Sequence, residues 1–320
     1  MQTPHPSPPP LPPGFQLDRY RIARKLSQGG FSIVYLATDD SGMSVAIKEY
    51  MPLGLTRRSP DSPVPIVDAA HQAAFNTGMK WFFDEAQALA GIDHPNVVHV
   101  TNCFRANGTV YLVMRYENGC TLKEHARKLT EGGSSISEMF LRNVFSSLLS
   151  GLREIHARKL LHLDIKPANI YLRSDGVPVL LDFGATRKGL GPDATVNAVF
   201  TPGFAAPEQQ GSGEALGPWT DIYAVGASLY DCLAGAAPQS ADQRLMKDEL
   251  EPAQIRWGKR YTLQLLELVD WCMQLAVTQR PQSVFALQKV LNGEQLDLVD
   301  PSWFNKPLTP PSPPGGTGLA

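Results

Sequence analysis

The hydrophobic pattern of this chain changes once, near residue 119, from short alternating runs to long helical periods. Before that point YRIARKL, FSIVYLAT and SVAIKEY are separated by the turn segments SQGG and DDSGM, as antiparallel strands are. A helical pattern follows near 75–91, and two more strand patterns flank the turn NG. Helical patterns dominate the second part, at 138–159, 218–235 and 262–276. We therefore predict an α+β fold, with a small β-rich lobe followed by a larger helical lobe.

Proline dominates both ends of the chain, in residues 1–13 and again in PLTPPSPPGGTGLA. Proline at this density lacks the N–H groups of a β-ladder and favours extended polyproline II. We predict a disordered N-terminal tail at 1–17 and a proline-rich tail or linker at 299–320. A ligand for an SH3-type domain is the less favoured interpretation of either end.

Composition limits the partners and the compartment of the chain. The formal net charge of -2 over 320 residues gives no broad electrostatic basis for binding nucleic acid or an anionic membrane. No apolar run is long enough to span a bilayer, and the N-terminus lacks the apolar core of a signal peptide. The 4 cysteines form no C-x-x-C pair and stand mostly in apolar surroundings. We therefore predict a reducing, cytoplasmic compartment.

The strings LHLDIKPANIYL and VLLDFGAT bring polar residues of distinct chemistry close together along the chain. Asp182 and Asn169 offer the hard oxygen ligands that Mg²⁺ prefers in proteins. Lys166 can offset phosphate charge, and Asp164 can accept a proton. Either string alone is readily explained as a polar loop between a helix and a hairpin. Both strings at this separation favour a site where a phosphate, a divalent cation and a hydroxyl meet.

These strings resemble the motifs of the protein-kinase family, and within it the bacterial Ser/Thr kinases of eukaryotic (Hanks) type. The catalytic loop H-R-D-x-K-x-x-N is matched from His162 to Asn169, with Leu163 in the place of arginine. The D-F-G motif is matched at 182–184 and the A-P-E motif at 206–208. The motifs stand in the family's order with the family's gaps.

The resemblance implies a bilobal protein-kinase fold over residues 18–298. Its small lobe is expected at about 18–114, its hinge at 115–118 and its large lobe at 119–298. The implied reaction is the transfer of the γ-phosphoryl group of ATP to Ser and Thr hydroxyls of proteins, with autophosphorylation. The expected cofactors are ATP and Mg²⁺, with Mn²⁺ as an alternative.

Roles for individual residues follow from the same resemblance. Asp164 is expected to orient the substrate hydroxyl and take its proton, and Lys166 to stabilise the transferring phosphoryl group. Asn169 and Asp182 are expected to hold the metal. The activation segment carries three candidate threonines, of which the last matches the family threonine that contacts the catalytic aspartate and lysine: Thr186, Thr195 and Thr201.

The ATP site is expected between the lobes. Lys48, in the V-A-I-K motif, is the expected ligand of the α- and β-phosphates, and Glu85 is its expected ion-pair partner, with Asp84 as the rival. Met114 is the expected gatekeeper at the entrance to the hinge. The full expected ATP-binding set is Ser27, Gly29, Gly30, Val34, Ala46, Lys48, Glu85, Met114, Arg115, Tyr116, Glu117 and Tyr171.

The segment LSQGGFSIVY departs from the phosphate-binding loop of the family. The pattern G-x-G-x-x-G asks for glycine at Ser27, Gly29 and Ser32, and only the central glycine is present. Gly30 adds backbone freedom, and the two serines are small. We predict that the loop is altered but usable.

Three further residues are expected to support the architecture. Asp221 matches the helical residue that braces the backbone of the catalytic loop. Arg280 matches the arginine that forms a buried pair with the glutamate of A-P-E, here Glu208. The expected partners are protein substrates, with a regulatory partner bound through the insertion at 51–80 or the proline-rich tails.

Two alternatives stay open at this point. The changes at Ser27, Ser32 and Leu163 are those of a pseudokinase, a scaffold that binds partners without transfer. The retained Lys48 and Asp182 oppose that reading. A kinase of small molecules is the other alternative, and the A-P-E segment opposes it.

We predict that phosphorylation of the activation segment is not an obligatory switch, because Leu163 cannot pair with a phosphate as arginine does. A charge-assisted pair of that kind contributes roughly 1.5–3 kcal/mol, or about ten- to 150-fold in the active population. The Thr186→Ala, Thr195→Ala double variant and phosphatase-treated wild type should each keep at least about a third of the activity. A loss of about thirtyfold or more in both preparations would contradict this, and Arg187 would then be the first candidate for a phosphate partner.

Overall fold

A six-stranded antiparallel sheet forms the small lobe, in the order β1-β2-β3-β4-β8-β7. The computed structural model describes residues 8–183, 187–188, 200–211 and 214–292 of the chain. The strands of this sheet are β1 (Gln16–Leu17), β2 (Tyr20–Gln28), β3 (Ser32–Thr38), β4 (Ser44–Tyr50), β7 (Val100–Ala106) and β8 (Thr109–Arg115). Two short strands, β5 (Thr56–Arg57) and β6 (Ile66–Val67), pair outside it.

Strand register decides which side chains of this sheet face the second lobe. Val34 pairs with Lys48, and Ala46 pairs with Met114, so these four residues share one face. The alternate positions, including Tyr35 and Ile47, point to the opposite face and form a separate apolar cluster there. The expected ATP-binding residues of the sheet therefore lie together, and the far face is a second core.

Helix α1 (Gln72–Ala90) packs on the cleft side of the sheet through Phe75, Phe82 and other apolar residues. Tyr50, the last residue of β4, contacts the rings of Phe75 and Phe82 at centroid distances of 5.3 and 5.6 Å. A Cβ atom at Gly78 would lie 2.0 Å from the Tyr50 hydroxyl, so only glycine lets the helix approach this closely. That approach sets the position of Glu85, two turns further along.

The large lobe is built around α4 (Pro218–Ala234), which is buried on nearly all sides. Proline opens this helix at its first position, and Gly235 ends it in the left-handed conformation, with φ of 75°. The other helices are α2 (Leu122–Glu131), α3 (Glu138–Ala157), α5 (Ala241–Met246), α6 (Ala253–Trp257), α7 (Leu263–Cys272) and α8 (Val284–Leu291). Short strands between them are β9 (Gly119–Thr121), β10 (Leu160–Leu161), β11 (Ile170–Arg173), β12 (Pro178–Leu180) and β13 (Arg187–Lys188).

The predicted α+β arrangement of a β-rich lobe before a helical lobe is confirmed. Helix α1 begins at Gln72, earlier than the expected 75, because the end of the insertion is already helical. The short helices α2, α5, α6 and α8 were not predicted from the pattern. None of the helices in the described ranges is both long enough and apolar enough to cross a membrane.

The predicted N-terminal tail at 1–17 is wrong for residues 8–17, which pack against the small lobe. Leu11 is only 2% exposed and Leu17 only 1%, and both belong to the apolar cluster on the far face of the sheet. Proline-rich backbone can be buried here because it brings few N–H donors that need partners. Residues 1–7 and the predicted tail at 299–320 lie outside the described residues.

We expect Arg280→Met to destabilise the fold by about 3–5 kcal/mol, because it leaves the Glu208 carboxylate buried and unpaired. The two side chains are fully buried, with Arg280 Nη1 and Nη2 donating to Glu208 Oε1 and Oε2 at 2.7 and 3.0 Å. Urea denaturation followed by tryptophan fluorescence measures the loss. The control is Arg127→Met in the exposed Arg127–Glu131 pair, which should cost less than about 1 kcal/mol. Equal losses in the two variants would contradict the assignment.

Candidate active site

The loop between β10 and β11 is held from below by the carboxylate of Asp221, near the start of α4. The backbone N–H of Leu163 donates to Asp221 Oδ1 at 2.7 Å, and that of His162 donates to Oδ2 at 2.9 Å. His156 Nε2 lies 2.7 Å from the same carboxylate. Burial opposes ionisation of Asp221, but the hydrogen bonds from the His156 side chain and from the His162 backbone hold its pKa below its ordinary value. Asp221, which the resemblance implied as a brace of this loop, thus accepts hydrogen bonds from two of its backbone N–H groups.

His162 joins this loop to the strand that leads to Asp182. Its Nε2 lies 3.0 Å from the Leu181 carbonyl, and its Nδ1 accepts from the backbone N–H of Asp164 at 3.3 Å. Complete burial lowers the pKa of His162, so the neutral ring carries its proton on Nε2 and donates to the carbonyl. Phe183 packs against the imidazole at a centroid distance of 4.4 Å.

Asp164 lies in a cluster of charge-assisted hydrogen bonds. Lys166 Nζ donates to Asp164 Oδ2 at 2.8 Å and to the Thr201 hydroxyl at 2.7 Å. The Thr201 hydroxyl in turn donates to Asp164 Oδ1 at 2.9 Å. Asn169 Nδ2 donates to the Asp164 carboxylate and to its backbone carbonyl, each at 2.8 Å. The catalytic loop and the end of the activation segment therefore meet at one partly exposed carboxylate.

Lys48 reaches across the cleft between the lobes and forms an ion pair with Asp182. The predicted ion pair between Lys48 and Glu85 is not formed in this structure. Burial would lower the pKa of Lys48, but the carboxylates of Asp182 and Glu85 outweigh it and raise that pKa. The sequence prediction preferred Glu85 to Asp84, and in the structure Glu85 is buried and Asp84 is exposed. It missed that a second carboxylate competes for the one ammonium.

Glu85 lies buried beside this pair, and its Oε1 has no hydrogen-bond partner in the described part of the chain. Its pKa is raised to about 7, because burial disfavours the carboxylate and the nearby Asp182 charge adds to that effect. Lys48 acts in the opposite direction but is engaged by Asp182. Glu85 is therefore protonated below about pH 7 and ionised above it.

Asn169 and Asp182 suit a divalent cation by the chemistry of their oxygens. The two hydrogen bonds of the Asn169 side chain use its amide nitrogen, so its oxygen stays without a donor among the described residues. The side chain of Asp182 is 47% exposed to the cleft, and Lys48 holds its pKa below the ordinary value. A pair of hard oxygens from Asn and Asp fits Mg²⁺, which takes few protein ligands and keeps waters. The described residues contain no cluster of three or more His, Cys, Asp or Glu side chains with metal-site geometry.

The hinge segment follows β8 at the back of the cleft. The backbone N–H of Arg115 donates to the His99 carbonyl at 3.0 Å, and the Glu117 carbonyl accepts from the Tyr171 hydroxyl at 3.2 Å. The Arg115 N–H is therefore occupied, whereas the Glu117 carbonyl keeps a second lone pair that can accept a further hydrogen bond. The Tyr171 hydroxyl thus contacts the hinge, and Met114 is the second-last residue of β8.

The loop between β2 and β3 leaves open space over its glycines. A Cβ atom at Gly29 or Gly30 would meet no described atom within 4 Å, and neither residue has a φ that favours glycine. The packing of the protein itself therefore does not require glycine at these positions. Ser27 is exposed, whereas Ser32 is only 8% exposed. Thr186 and Thr195 lie outside the described residues.

Two contacts in this region were not predicted from the sequence. Gln209 Nε2 donates to the backbone carbonyl of Leu163 at 2.9 Å and so ties the segment after Thr201 to the catalytic loop. His156 touches Asp221 from α3. Neither residue carries a local signal, because a glutamine after A-P-E and a histidine at a helix end are common surface residues.

Comparison with known proteins agrees with this geometry. The protein-family model described as Protein kinase domain matches residues 20–292. Serine/threonine-protein kinase D of Synechocystis sp. is 31% identical over 295 residues, which are 87% of this chain and 52% of that protein. Serine/threonine-protein kinase C of the same organism is 28% identical over 94% of this chain and 53% of its own length. The chain thus spans about half the length of these curated relatives.

Two solved structures are similar to this chain. The structure named PpkA-294 apo form superposes with a TM-score of 0.78 and 35% identity, over 88% of this chain and 99% of that one. The kinase domain of Mycobacterium tuberculosis PknI superposes with a TM-score of 0.68 and 20% identity, over 89% and 99%. The second likeness concerns the fold alone. Together with the sheet and helix order above, they confirm the bilobal fold.

We expect Glu85→Gln to remove a pH dependence of stability that the wild type has. Between pH 4.5 and about 7 the unfolded chain ionises Glu85 while the folded chain keeps it protonated, so rising pH destabilises the wild type. Glu85→Gln should gain about 3 kcal/mol relative to wild type from pH 4.5 to pH 8, measured by urea denaturation. Asp84→Asn, at the exposed neighbouring position, is the control and should follow the wild type. A stability difference that is the same at both ends of the range would contradict the buried, protonated state.

Proposed function

This chain belongs to the protein kinase family, and we propose that its domain transfers the γ-phosphoryl group of ATP to Ser and Thr hydroxyls of proteins, including its own. The observation that carries the proposal is the cluster of Asp164, Lys166 and Thr201, close to the Lys48–Asp182 pair in one cleft. A carboxylate, two ammonium groups and an amide converge there as phosphoryl transfer to a hydroxyl requires. The serine/threonine-protein kinases among the relatives support the choice of acceptor.

In this proposal Asp164 orients the acceptor hydroxyl and takes its proton. Its two oxygens are fixed by Lys166, Thr201 and Asn169, so little reorganisation is needed when a hydroxyl approaches. Lys166 remains near enough to the transferring group to offset its negative charge. Because the transition state is loose, catalysis rests mainly on this positioning and on charge stabilisation.

Asn169 and Asp182 would hold the divalent cation, which we propose to be Mg²⁺, with Mn²⁺ as an alternative. Such a cation, when bound, neutralises phosphate charge and aligns the phosphoryl group. Lys48 binds the α- and β-phosphates, and the backbone around Gly29 and Gly30 covers them. Val34, Ala46 and Tyr171 enclose the adenine, and the hinge supplies its polar contacts.

Glu85 is the second carboxylate whose charge acts on Lys48, and its burial holds it ready for that role. Asp182 cannot give the same oxygens in full to a cation and to Lys48 at once. We propose that Glu85 then orients the ammonium, so that the pairing expected from the sequence belongs to the nucleotide-bound state. The close approach of α1 to the sheet at Gly78 keeps the Glu85 side chain near Lys48.

A transferring enzyme fits the site better than a pseudokinase or a small-molecule kinase does. The substitutions at Ser27, Ser32 and Leu163 leave every proposed catalytic and metal-holding residue in place. The segment containing A-P-E is anchored by the buried Glu208–Arg280 pair, which a kinase of small molecules does not need. Glu208 and Arg280 therefore support the proposal of a protein substrate.

Partners and compartment belong to the same proposal. The insertion at 51–80 exposes Leu53, Val64 and Ile66, apolar side chains that a regulatory partner could cover. The 4 cysteines of the chain are all free, which suits a reducing cytoplasm. Comparing the phosphoproteomes of cells that express wild type and Asp164→Asn would identify the substrates.

We expect Lys48→Met, Asp164→Asn and Asp182→Asn each to keep less than about a tenth of the wild-type kcat/KM, a loss above about 1.4 kcal/mol in transition-state stabilisation. Transfer of labelled phosphate from ATP to a generic protein substrate measures the rate. Lys25→Met on β2 and Asp175→Asn at an exposed turn are matched controls and should retain activity. Wild type without transfer, or a Lys48 or Asp182 variant above that limit with an unchanged Tm, would count against the proposed function.

A further inference from the structure

We propose that residues 8–13, the N-terminal strap, hold the phosphate-binding loop in place from the far face of the sheet and so lower the KM for ATP. This inference rests on the proposed function, since it assigns a positioning role for the same nucleotide. The strap runs over the face of the small lobe that points away from the cleft. Its carbonyl groups accept hydrogen bonds from Gln28 of the loop and from Arg58, which is paired with Glu49 on the strand of Lys48.

The strap has few backbone donors that need a partner when it docks. Leu11 is the only residue of the strap with a backbone N–H, and that N–H donates to the Tyr35 hydroxyl at 3.1 Å. Pro8 is buried, and the Leu11 side chain inserts among the apolar residues of the far face. Five prolines in six positions restrict the unbound segment, which lowers the entropic cost of docking.

One end of the strap is bonded directly to the phosphate-binding loop. Gln28, the last residue of β2, donates from Nε2 to the Pro8 carbonyl at 3.1 Å. The next residues of the loop are bonded to the start of the insertion, where Leu53 N–H donates to the Gly30 carbonyl at 2.8 Å and Met51 N–H to the Phe31 carbonyl at 2.9 Å. The loop is thus attached on the side opposite to the nucleotide.

The middle of the strap is bonded to a buried ion pair behind Lys48. Arg58, from the insertion, donates from Nη1 to the Pro9 carbonyl at 3.2 Å and to Glu49 Oε2 at 3.1 Å. The Arg58 and Glu49 side chains are 2% and 0% exposed. The hydroxyls of Tyr35 and Tyr111 also donate to the Glu49 carboxylate, at 2.7 and 2.8 Å.

This network gives the strap a fixed support. Glu49 follows Lys48 directly on β4, and its carboxylate accepts from two hydroxyls and from both ends of the Arg58 fork. The carboxylate is thus fully bonded and Arg58 is held through both of its terminal nitrogens, although Arg58 Nε has no partner among the described residues. A buried pair held by this many hydrogen bonds is restricted in geometry. A continuous chain of contacts therefore fixes the distance between the phosphate-binding loop and the strand of Lys48. It runs from Gln28 to Pro8, and from Pro9 through Arg58 to Glu49. Ser27 and Ser32 stand where the family pattern has glycine, so the backbone of the loop has less conformational freedom. The strap then determines the position of the loop on the sheet.

Leu11→Ser in the full chain tests the strap without touching the cleft. We expect the KM for ATP to rise about two- to tenfold, with kcat within about twofold of wild type. This is the effect of losing one or two hydrogen bonds, here those of the Pro8 and Pro9 carbonyls when the strap undocks. Amide exchange of the segment 27–33 should become faster in the same variant. Leu17→Ser is the matched control, because Leu17 is as buried in the same cluster but lies in β1, outside the strap. It should lower Tm without changing the KM or the exchange.

Gln28→Leu provides a second variant that leaves the far-face core intact. It should raise the KM in the same direction, and combining it with Leu11→Ser should add little, since both break the same connection. A KM and an exchange rate in Leu11→Ser that match those of Leu17→Ser overturn the proposal, as does faster exchange with an unchanged KM. Binding of a fluorescent ATP analogue separates this from the proposed function. Wild type that binds the analogue but transfers nothing overturns only the kinase activity, whereas wild type that binds none overturns both.

Discussion

The arrangement of the active site depends on one buried carboxylate, Asp221. It receives the backbone N–H groups of two successive residues of the catalytic loop, one of which, Leu163, has a φ of 63°. That left-handed conformation costs a leucine roughly 1–2 kcal/mol, so other interactions must stabilise the loop. Charge-assisted bonds to a fully buried acceptor contribute about 1.5–3 kcal/mol each, which exceeds that cost. Through Asp221, the core helix α4 thus determines where Asp164 points, although Asp221 and Asp164 are not bonded to each other.

In the cleft one lysine side chain lies beside two carboxylates. Lys48 lies between two carboxylates, Asp182 and Glu85, and it can hold only one of them at hydrogen-bond distance in this structure. Glu85, which is not paired with Lys48, is buried, and burial raises its pKa to about 7. Charge at the site is therefore set by competition and not by a fixed ion pair. An added cation at Asp182 would shift that competition, which makes the helix that carries Glu85 responsive to what occupies the cleft.

A residue's role could be predicted from the sequence where the residues next to it in the chain form a recognisable motif. Asp164, Asn169 and Asp182 stand in strings whose spacing alone carries chemical meaning, and the structure brings them to one cleft. The pairing of Lys48 was not predictable, because spacing identifies the helix of Glu85 but not the winner between two carboxylates. The docking of residues 8–17 was hidden for a different reason. Their composition is that of a free proline-rich tail, and the Tyr35 hydroxyl that receives Leu11 becomes available only when the sheet has formed.

Position 163 holds leucine where the family pattern has arginine, and other contacts attach residues 200–211 to the catalytic loop. Leu163 is 5% exposed, so its side chain adds to the core where a guanidinium would need a partner. Its carbonyl accepts from Gln209, and the Thr201 hydroxyl bridges Lys166 and Asp164. Both ends of the described stretch 200–211 are thus attached to the catalytic loop without any phosphate. Since those bonds need no added charge, they are available to residues 200–211 of the unmodified chain.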